Sequence, residues 1–346
     1  MKKKVLFLCG GRSGEHEVSL ISTKHILKAI RRDEIEPTVI MIQKRGRMDL
    51  IAEENLFKLP DNPKEIAGLQ GRPVDFRPYS NGTDKPGFVE SGRLLNFDAV
   101  FPVLHGEGGE DGSIQGFLET AQIPYVGCKV GASANSMDKI ITKKICISSN
   151  LPVAPFVELT DLAQVSKLEM TYPCFVKPAT GGSSIGVSKV ESANELKSAV
   201  EEAFRWSTRL IVEPAIVGRE LEIAVLDDGQ SRVLSPAGEI ICRNGWYDYD
   251  TKYVHPDGAE LVAPADLSSE QLKELQNLAS KIFDAMNCKG MARIDFFQDH
   301  KGNFLLNEVN SIPGFTPISM YPRLLGLAGV SYPDLIARLL NAALRP

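Results

Sequence analysis

The sequence predicts an α/β protein of two or three domains, with an open α/β domain first and mixed strands and helices after it. Three observations lead there. At 346 residues the chain exceeds one ordinary domain and is long enough for ample cores. Its opening runs strand, glycine turn, helix, strand, which is a βαβ unit. Beyond about residue 126 the pattern changes to short strands and helices, closing with a strand pair and an amphipathic helix.

In chain order, "KVLFLCGG" is a short buried strand, "GRSGEHEVS" a turn, "SLISTKHILKAI" a helix by period and "TVIMIQ" a returning strand. Residues from about 44 to 95 are rich in Pro, Gly and charge and carry little period, which predicts a loop-rich insertion. "FDAVFPVLHG" is another buried strand ending in a glycine loop, and "SIQGFLETA" is a helix. Functional residues of such a sheet belong at the carboxyl ends of its strands. Next come the helix "DKIITKKICISS", the strands "LPVAPFVEL", "CFVKPA" and "SIGVSKV", the helix "ANELKSAVEEAF" and the strand "RLIVEP". From Gly218 onward follow "ELEIAVL", "RVLSPAGEI", a loop "NGWYDYDTKYVHPDGAE" and the helix "SSEQLKELQNLASKIFDAM". The strands "GMARIDFFQ" and "NFLLNEVN" and the helix "SYPDLIARLLNAAL" end the chain.

Composition excludes several classes of function. Hydrophobic content of 43% and charged content of 24% are those of a soluble globular protein. A net charge of −5 argues against a general nucleic-acid binder, whose affinity rests on basic residues. The six cysteines lack C-x-x-C spacing and sit in apolar runs, so buried reduced thiols and a reducing compartment are expected. The apolar run after "MKKK" is too short for a secretion signal, and no run approaches a membrane span. A cytoplasmic protein with no membrane partner is expected.

The chemistry begins at "KPATGGSSIGVSKV". Lysine, glycine and serine at this density point to phosphate, yet a P-loop places its lysine after the glycines and leads into a helix. Here Lys177 precedes them. Successive backbone N–H groups in "TGGSSIG" can form an anion-binding nest. A second pattern is "ARIDFF" with "LNEVN". Residues two apart on a strand share a face, so Arg293 and Asp295 point one way, as do Glu308 and Asn310. A turn centred on Lys301-Gly302 sets Asp295 opposite Glu308 and Arg293 opposite Asn310. Opposed carboxylates repel. Either Arg293 neutralises a solvated pair, or the hard oxygens of Asp295, Glu308 and Asn310 hold Mg²⁺ with waters and phosphates; the second accounts better for the cost.

With those residues placed, the chain resembles the ATP-grasp ligases, and among them the D-alanine–D-alanine ligases. The resemblance runs over "GGRSGEHEVSL", "LHGEGGEDGSIQG", "SMDK", "LPVAPFV", "VKPATGGSSIGVSKV", "YDYDTKY", "CKGMARIDF" and "LLNEVNSIPGFTPISMYP", in the family's order and over nearly the whole chain. It implies a three-domain ATP-grasp architecture: an N-terminal open α/β domain over 1–126, a central domain with the phosphate loop over 127–217, and a C-terminal domain with metal site and mobile loop over 218–346. ATP would lie between the last two.

Residue roles follow from the same resemblance. Lys139 and Lys177 would bind the ATP phosphates, with Lys252 closing from "YDYDTKY" and Ser183 in the covering loop. Glu213, Ala215 and Ile216 would line the adenine and Glu220 would hold the ribose. The segment "EPAI" departs from the family, in which a lysine and a bulky residue follow the glutamate; Ala215 offers less stacking area. Asp295, Glu308 and Asn310 would ligate two Mg²⁺, with Mn²⁺ as a substitute and K⁺ activation left open. Glu15 would pair with the first D-alanine ammonium, with His105 beside it. Arg293 and the Gly314 N–H would form the oxyanion hole, and Ser319 with the Met320 backbone would hold the second carboxylate. A D-alanine carboxylate would attack the γ-phosphate, and the amine of a second D-alanine would attack the acyl phosphate. Tyr253, bonded with Ser183 and Glu15, would accompany D-alanine as acceptor, for peptidoglycan precursor synthesis. A homodimer is also left open.

Singly, each residue has a plainer reading: Glu15 as a helix cap, His105 as a satisfied strand-end histidine, Ser319 as a turn serine. Two rival functions remain. A non-catalytic nucleotide-binding module should have lost a metal ligand or Arg293, and neither is missing. An NAD-linked oxidoreductase needs G-x-G-x-x-G and an acidic end to the second strand, which "GGRSGE" and "TVIMIQ" lack.

Overall fold

The computed structural model describes residues 1–78, 86–242 and 259–345, organised by three sheets. The first contains β1 (Lys3–Gly10), β2 (Ile35–Ile42), β3 (Met48–Ile51), β4 (Arg72–Arg77), β5 (Gly87–Glu90), β6 (Arg93–Leu94) and β7 (Ala99–Pro102), in the order β6-β5-β4-β3-β2-β1-β7. β1 pairs parallel with both β2 and β7. Its unbroken apolar run reflects burial on both faces. Val5, Phe7 and Cys9 enter one core, while Leu6 and Leu8 enter another beneath the helix Ser113–Thr120.

The stretch expected as a loop-rich insertion instead adds strands. β3 to β6 continue the sheet by antiparallel pairing. None is longer than six residues, too short for a period to emerge among Pro and Gly. Ladder pairing supplies what the local pattern lacks.

The second sheet holds β8 (Val157–Leu159), β9 (Cys174–Pro178), β10 (Ser188–Val190) and β11 (Leu210–Pro214), in the order β10-β9-β11-β8. Cys174 and Val176 of β9 pack beneath the helix Ala193–Ala203. Alternation therefore turns Phe175 and Lys177 to the opposite face. Two expected strands are shorter than read. Of "SIGVSKV" only Ser188–Val190 is strand, because Gly181, Ser183, Ser184 and Gly186 take left-handed φ. Of "LPVAPFVEL" only Val157–Leu159 joins the sheet, while Val153 bridges Leu306.

The third sheet contains β12 (Gly218–Asp227), β13 (Arg232–Leu234), β14 (Gly238–Cys242), β15 (Ala259–Val262), β16 (Gly290–Asp299) and β17 (Phe304–Asn310), running β15-β14-β12-β16-β17 with β13 on β12. The helix Ser269–Ala285 covers it with Leu275, Ala279, Ile282 and Phe283, a helical stripe. A capping box starts that helix: Gln271 N donates to Ser268 Oγ, and Ser268 N donates to Gln271 Oε1.

The cores cross the boundaries drawn from sequence. Ala132 of the helix Val130–Met137 and Cys146 of the helix Lys139–Ser148 pack into the core of the third sheet. Tyr321, Leu324, Leu335 and Leu339 of the last two helices, Met320–Leu327 and Tyr332–Ala343, share a core with Phe7 and Phe101. All six cysteines are free thiols, five of them buried and Cys242 only partly so. Among the described residues no helix is long and apolar enough to cross a membrane.

Candidate active site

The carboxyl ends of β1 and β7 meet the inner faces of the other two sheets around a cavity of about 460 Å³. Glu15 reaches it from the turn after β1, and His105 from the loop after β7. Lys139, Lys177, Ser183, Glu213, Ala215, Ile216, Glu220, Arg293, Asp295, Glu308, Asn310, Gly314, Ser319 and Met320 line the same space. Lys252 and Tyr253 lie outside the described residues.

One wall is a row of acids. Glu222 of β12 pairs with Asp295 of β16, which pairs with Glu308 of β17. Arg293 answers them: its Nε and Nη2 donate to the two Asp295 oxygens at 2.8 and 2.7 Å, and Nε lies 3.2 Å from Glu222. Burial works against the guanidinium's charge, but Asp295 and Glu222 outweigh it and push its pKa well up. Asn310 Nδ2 donates to Asp295 at 2.9 Å. The expected pairing of Asp295 with Glu308 is present, though by another route. The pairs near the turn run Gln298 with Phe304 and Phe297 with Leu305, which centres the hairpin on Lys301. A bulge between Asp295 and Phe296 then leaves Asn307 unpaired and restores the register at the acids.

The facing wall is built on lysines. Lys177 of β9 and Glu213 of β11 sit diagonally across the ladder, Lys177 opposite Ile211 and Glu213 opposite Phe175. Glu213 is buried between two ammonium groups, Lys177 Nζ at 2.7 Å from one oxygen and Lys143 Nζ at 2.7 Å from the other. Burial alone would raise the Glu213 pKa; Lys177 and Lys143 outweigh it and hold it at about 2. Lys139 Nζ donates to the Gly181 carbonyl at 2.8 Å, tying the start of its helix to the glycine loop. Asp138 caps that helix, accepting from Ile140 N and Ile141 N. Beyond Glu213, Ala215 N donates to Pro173 O at 2.9 Å and fixes the "EPAI" segment against the sheet.

The glycine loop reaches the first sheet. A Cβ on Gly182 would stand 3.1 Å from Glu15 Oε2, and one on Gly106 would stand 3.0 Å from it. Glu15 occupies the N-cap position of the helix His16–Ala29 without a side-chain cap bond, so it is not there as a cap. His105 Nδ1 donates to the Ile312 carbonyl at 3.2 Å, which leaves Nε2 to accept from Ser22 Oγ at 3.0 Å. Burial lowers its pKa and keeps it neutral. Glu110 holds the same residue from the other side, accepting from Ile312 N at 3.3 Å and from Gly106 N at 2.7 Å. Burial and the nearby Glu15 raise the Glu110 pKa to about 8.

At the far end the chain folds tightly after β17. A Cβ on Gly314 would lie 2.6 Å from Ser319 Oγ, so a larger residue would have to turn that hydroxyl away from Thr316. Ser319 Oγ accepts from Thr316 N at 3.0 Å and contacts Thr316 Oγ1 at 2.8 Å, at the start of the helix Met320–Leu327.

Comparison with known proteins fits this arrangement. Residues 4–128 match the family model of the D-ala D-ala ligase N-terminus, and residues 145–341 match that of the D-ala D-ala ligase C-terminus. The chain belongs to the D-Ala-D-Ala ligase family. The D-alanine–D-alanine ligase A of Chromobacterium violaceum is 41% identical over 99% of this chain and 95% of its own length. That of Escherichia coli K12 is 40% identical over 99% and 96%. Among solved structures, the Coxiella burnetii D-alanine-D-alanine ligase aligns with TM-score 0.85 and 36% identity, over 99% of this chain and 94% of that one. The VanG D-Ala:D-Ser ligase of Enterococcus faecalis aligns with TM-score 0.86 and 33% identity, over 99% and 100%.

D-Ala-D-Ala ligases use ATP and a divalent metal, and the acid wall suits such a metal. Among the described residues no three His, Cys, Asp or Glu side chains form a ready cage. Asp295, Glu308 and the Asn310 amide instead line the cavity as a sparse oxygen set of the kind Mg²⁺ completes with waters and phosphate oxygens. Sequence reasoning missed Lys143, Glu222 and Glu110. Each had a faint signal: Lys143 stands four after Lys139 on one helix face, Glu222 two after Glu220 on one strand face, and Glu110 inside a glycine loop.

Proposed function

We propose that the chain joins two D-alanines into D-alanyl-D-alanine at the expense of ATP, for peptidoglycan precursor synthesis. The observation that carries this reading is the pairing of walls: lysines and a glycine loop on one side, Arg293 and a row of carboxylates on the other. The first is suited to polyphosphate, the second to a metal and to the charge that develops during phosphoryl transfer.

In this reading the first D-alanine sets its ammonium against Glu15, and its carboxylate attacks the γ-phosphorus to form D-alanyl phosphate and ADP. Lys139 and Lys177 hold the phosphates, with Lys252 closing over them and Ser183 in the covering loop. Glu213, Ala215 and Ile216 border the adenine and Glu220 the ribose. Arg293 and the Gly314 N–H hold the carbonyl oxygen as the second D-alanine's amine attacks and phosphate leaves. Ser319 and the N-terminus of the helix Met320–Leu327 hold the second carboxylate. His105, neutral and bonded on both ring nitrogens, shapes the first pocket. Asp295, Glu308 and Asn310 would hold two Mg²⁺, replaceable by Mn²⁺, which would supply charge neutralisation on the transferring phosphoryl group. The working division of the chain is 1–126, 127–217 and 218–346, and the enzyme acts in the cytoplasm as a homodimer.

The test is ADP release with D-alanine as sole amino acid. D-alanine-dependent ADP from the wild type, lost in Glu308→Gln, supports the reading; no D-alanine-dependent ADP from the wild type overturns it. Acceptor choice is a separate question, because D-Ala:D-Ser ligases share this fold. Tyr253 favours D-alanine, and faster turnover with D-serine or D-lactate at neutral pH would refute that assignment.

A further inference from the structure

Lys143 takes no place in the reaction as described, yet it is the most enclosed cation beside the cavity. Its side chain is 1% exposed. Its Nζ lies 2.7 Å from Glu213 Oε1 and donates to the carbonyls of Ala154 at 3.2 Å and Leu306 at 3.4 Å. It therefore joins the lysine helix, the segment before β8, the Glu213 strand and the strand that carries Glu308. Such a lysine sits far below its ordinary ease of burial, and in a core it normally appears only with a partner. Here the partner is shared: Glu213 has two cations, and only one of them, Lys177, lines the cavity.

We propose that Lys143 is a positioning residue for the nucleotide: it keeps Glu213 paired, so that Lys177 can turn from Glu213 to the ATP phosphates. The inference rests on the reading of Lys177 as a phosphate ligand. Without Lys143, moving Lys177 would strand a buried carboxylate with no counter-charge, which is strongly unfavourable. With Lys143 in place the carboxylate keeps one ion pair throughout, and Lys177 is exchanged between two anions of similar demand. The two carbonyl acceptors hold Lys143 fixed while Lys177, at 14% exposure, keeps room to move.

The test uses the full-length enzyme with ATP, ADP and D-alanine. Lys143→Met should raise the KM for ATP and the Kd for ADP by about 10-fold or more, which is about 1.4 kcal/mol per decade. The KM for D-alanine should stay within about 2-fold. Lys143→Arg should recover part of the nucleotide affinity. Adding Glu213→Gln to Lys143→Met should return affinity to that of Glu213→Gln alone, because no charge is then stranded. A folded Lys143→Met with wild-type nucleotide affinity overturns the inference, as does a loss that Glu213→Gln does not relieve. If Lys143→Met alone fails to fold, the double variant decides by the same comparison. Lys177→Met separates the two levels: unchanged nucleotide affinity there refutes the phosphate reading itself, whatever Lys143 does.

Discussion

Replacing Glu213 by Gln keeps the shape of the side chain and removes the anion between Lys143 and Lys177. Its magnitude can be worked from the ionisation of the carboxyl. A pKa of about 2 in the folded protein stands against an ordinary value of 4.5. At about 1.4 kcal/mol per unit, the ion pairs contribute about 3 kcal/mol at neutral pH. The side chain is 4% exposed, so little of that is screened by solvent. Unfolding entropy near 2.1 cal/mol/K per residue, over 346 residues, converts it to about 4 °C in Tm. The pKa is depressed on folding, so this stability is fully present above about pH 4.5 and is lost as pH falls toward 2. Scanning calorimetry should therefore find Glu213→Gln about 4 °C below the wild type at pH 7, with about half the gap closed near pH 3.5. A difference under about 1 °C at pH 7, or a gap constant down to pH 3.5, would refute the reasoning.

Three further outcomes are expected. Gly314→Ala forces a Cβ to within 2.6 Å of Ser319 Oγ, and kcat should fall about 100-fold while ADP affinity stays unchanged; retained turnover would remove Gly314 from the site. The Glu110 carboxyl has its pKa raised to about 8, so the stability it contributes is present below its ordinary value of 4.5 and lost as pH rises through about 8. Glu110→Gln should accordingly flatten the fall in Tm between about pH 5 and pH 8, and an unaltered slope would refute that assignment. Gly186 has φ +72°, and a Cβ there would meet the Trp206 ring at 2.7 Å. Gly186→Ala should displace the glycine loop and raise the KM for ATP several-fold, with little change for D-alanine.

Much of the site was legible before any coordinates. Strand alternation placed Arg293 with Asp295 and Glu308 with Asn310, because a side-chain period of two is a local property. The glycine-rich loop after Lys177 stood out through its composition as part of the cavity wall, and the order of motifs along the chain identified the family. The hairpin register was right at Asp295 and Glu308 only because a bulge at Asn307 offset a turn centred half a residue away. The short strands of the 44–95 region were not legible, since strands of two to six residues gain their identity from a neighbour's ladder.

The sequence by itself determined the strands and helices with long apolar periods, the family, and the chemical character of each wall of the cavity. Tertiary structure alone decided which charges meet. Lys143 finds Glu213 across 70 positions of chain, counted as 213 − 143, and Glu222 meets Asp295 only through strand pairing. Glu110 reaches Ile312 from the loop after β7, 202 positions away in the chain. A buried ion pair depends on distance and on exclusion of water, and neither is written in the spacing of residues along a chain. That is why the glycine loop and the acids could be read in advance, while the lysine behind them could not.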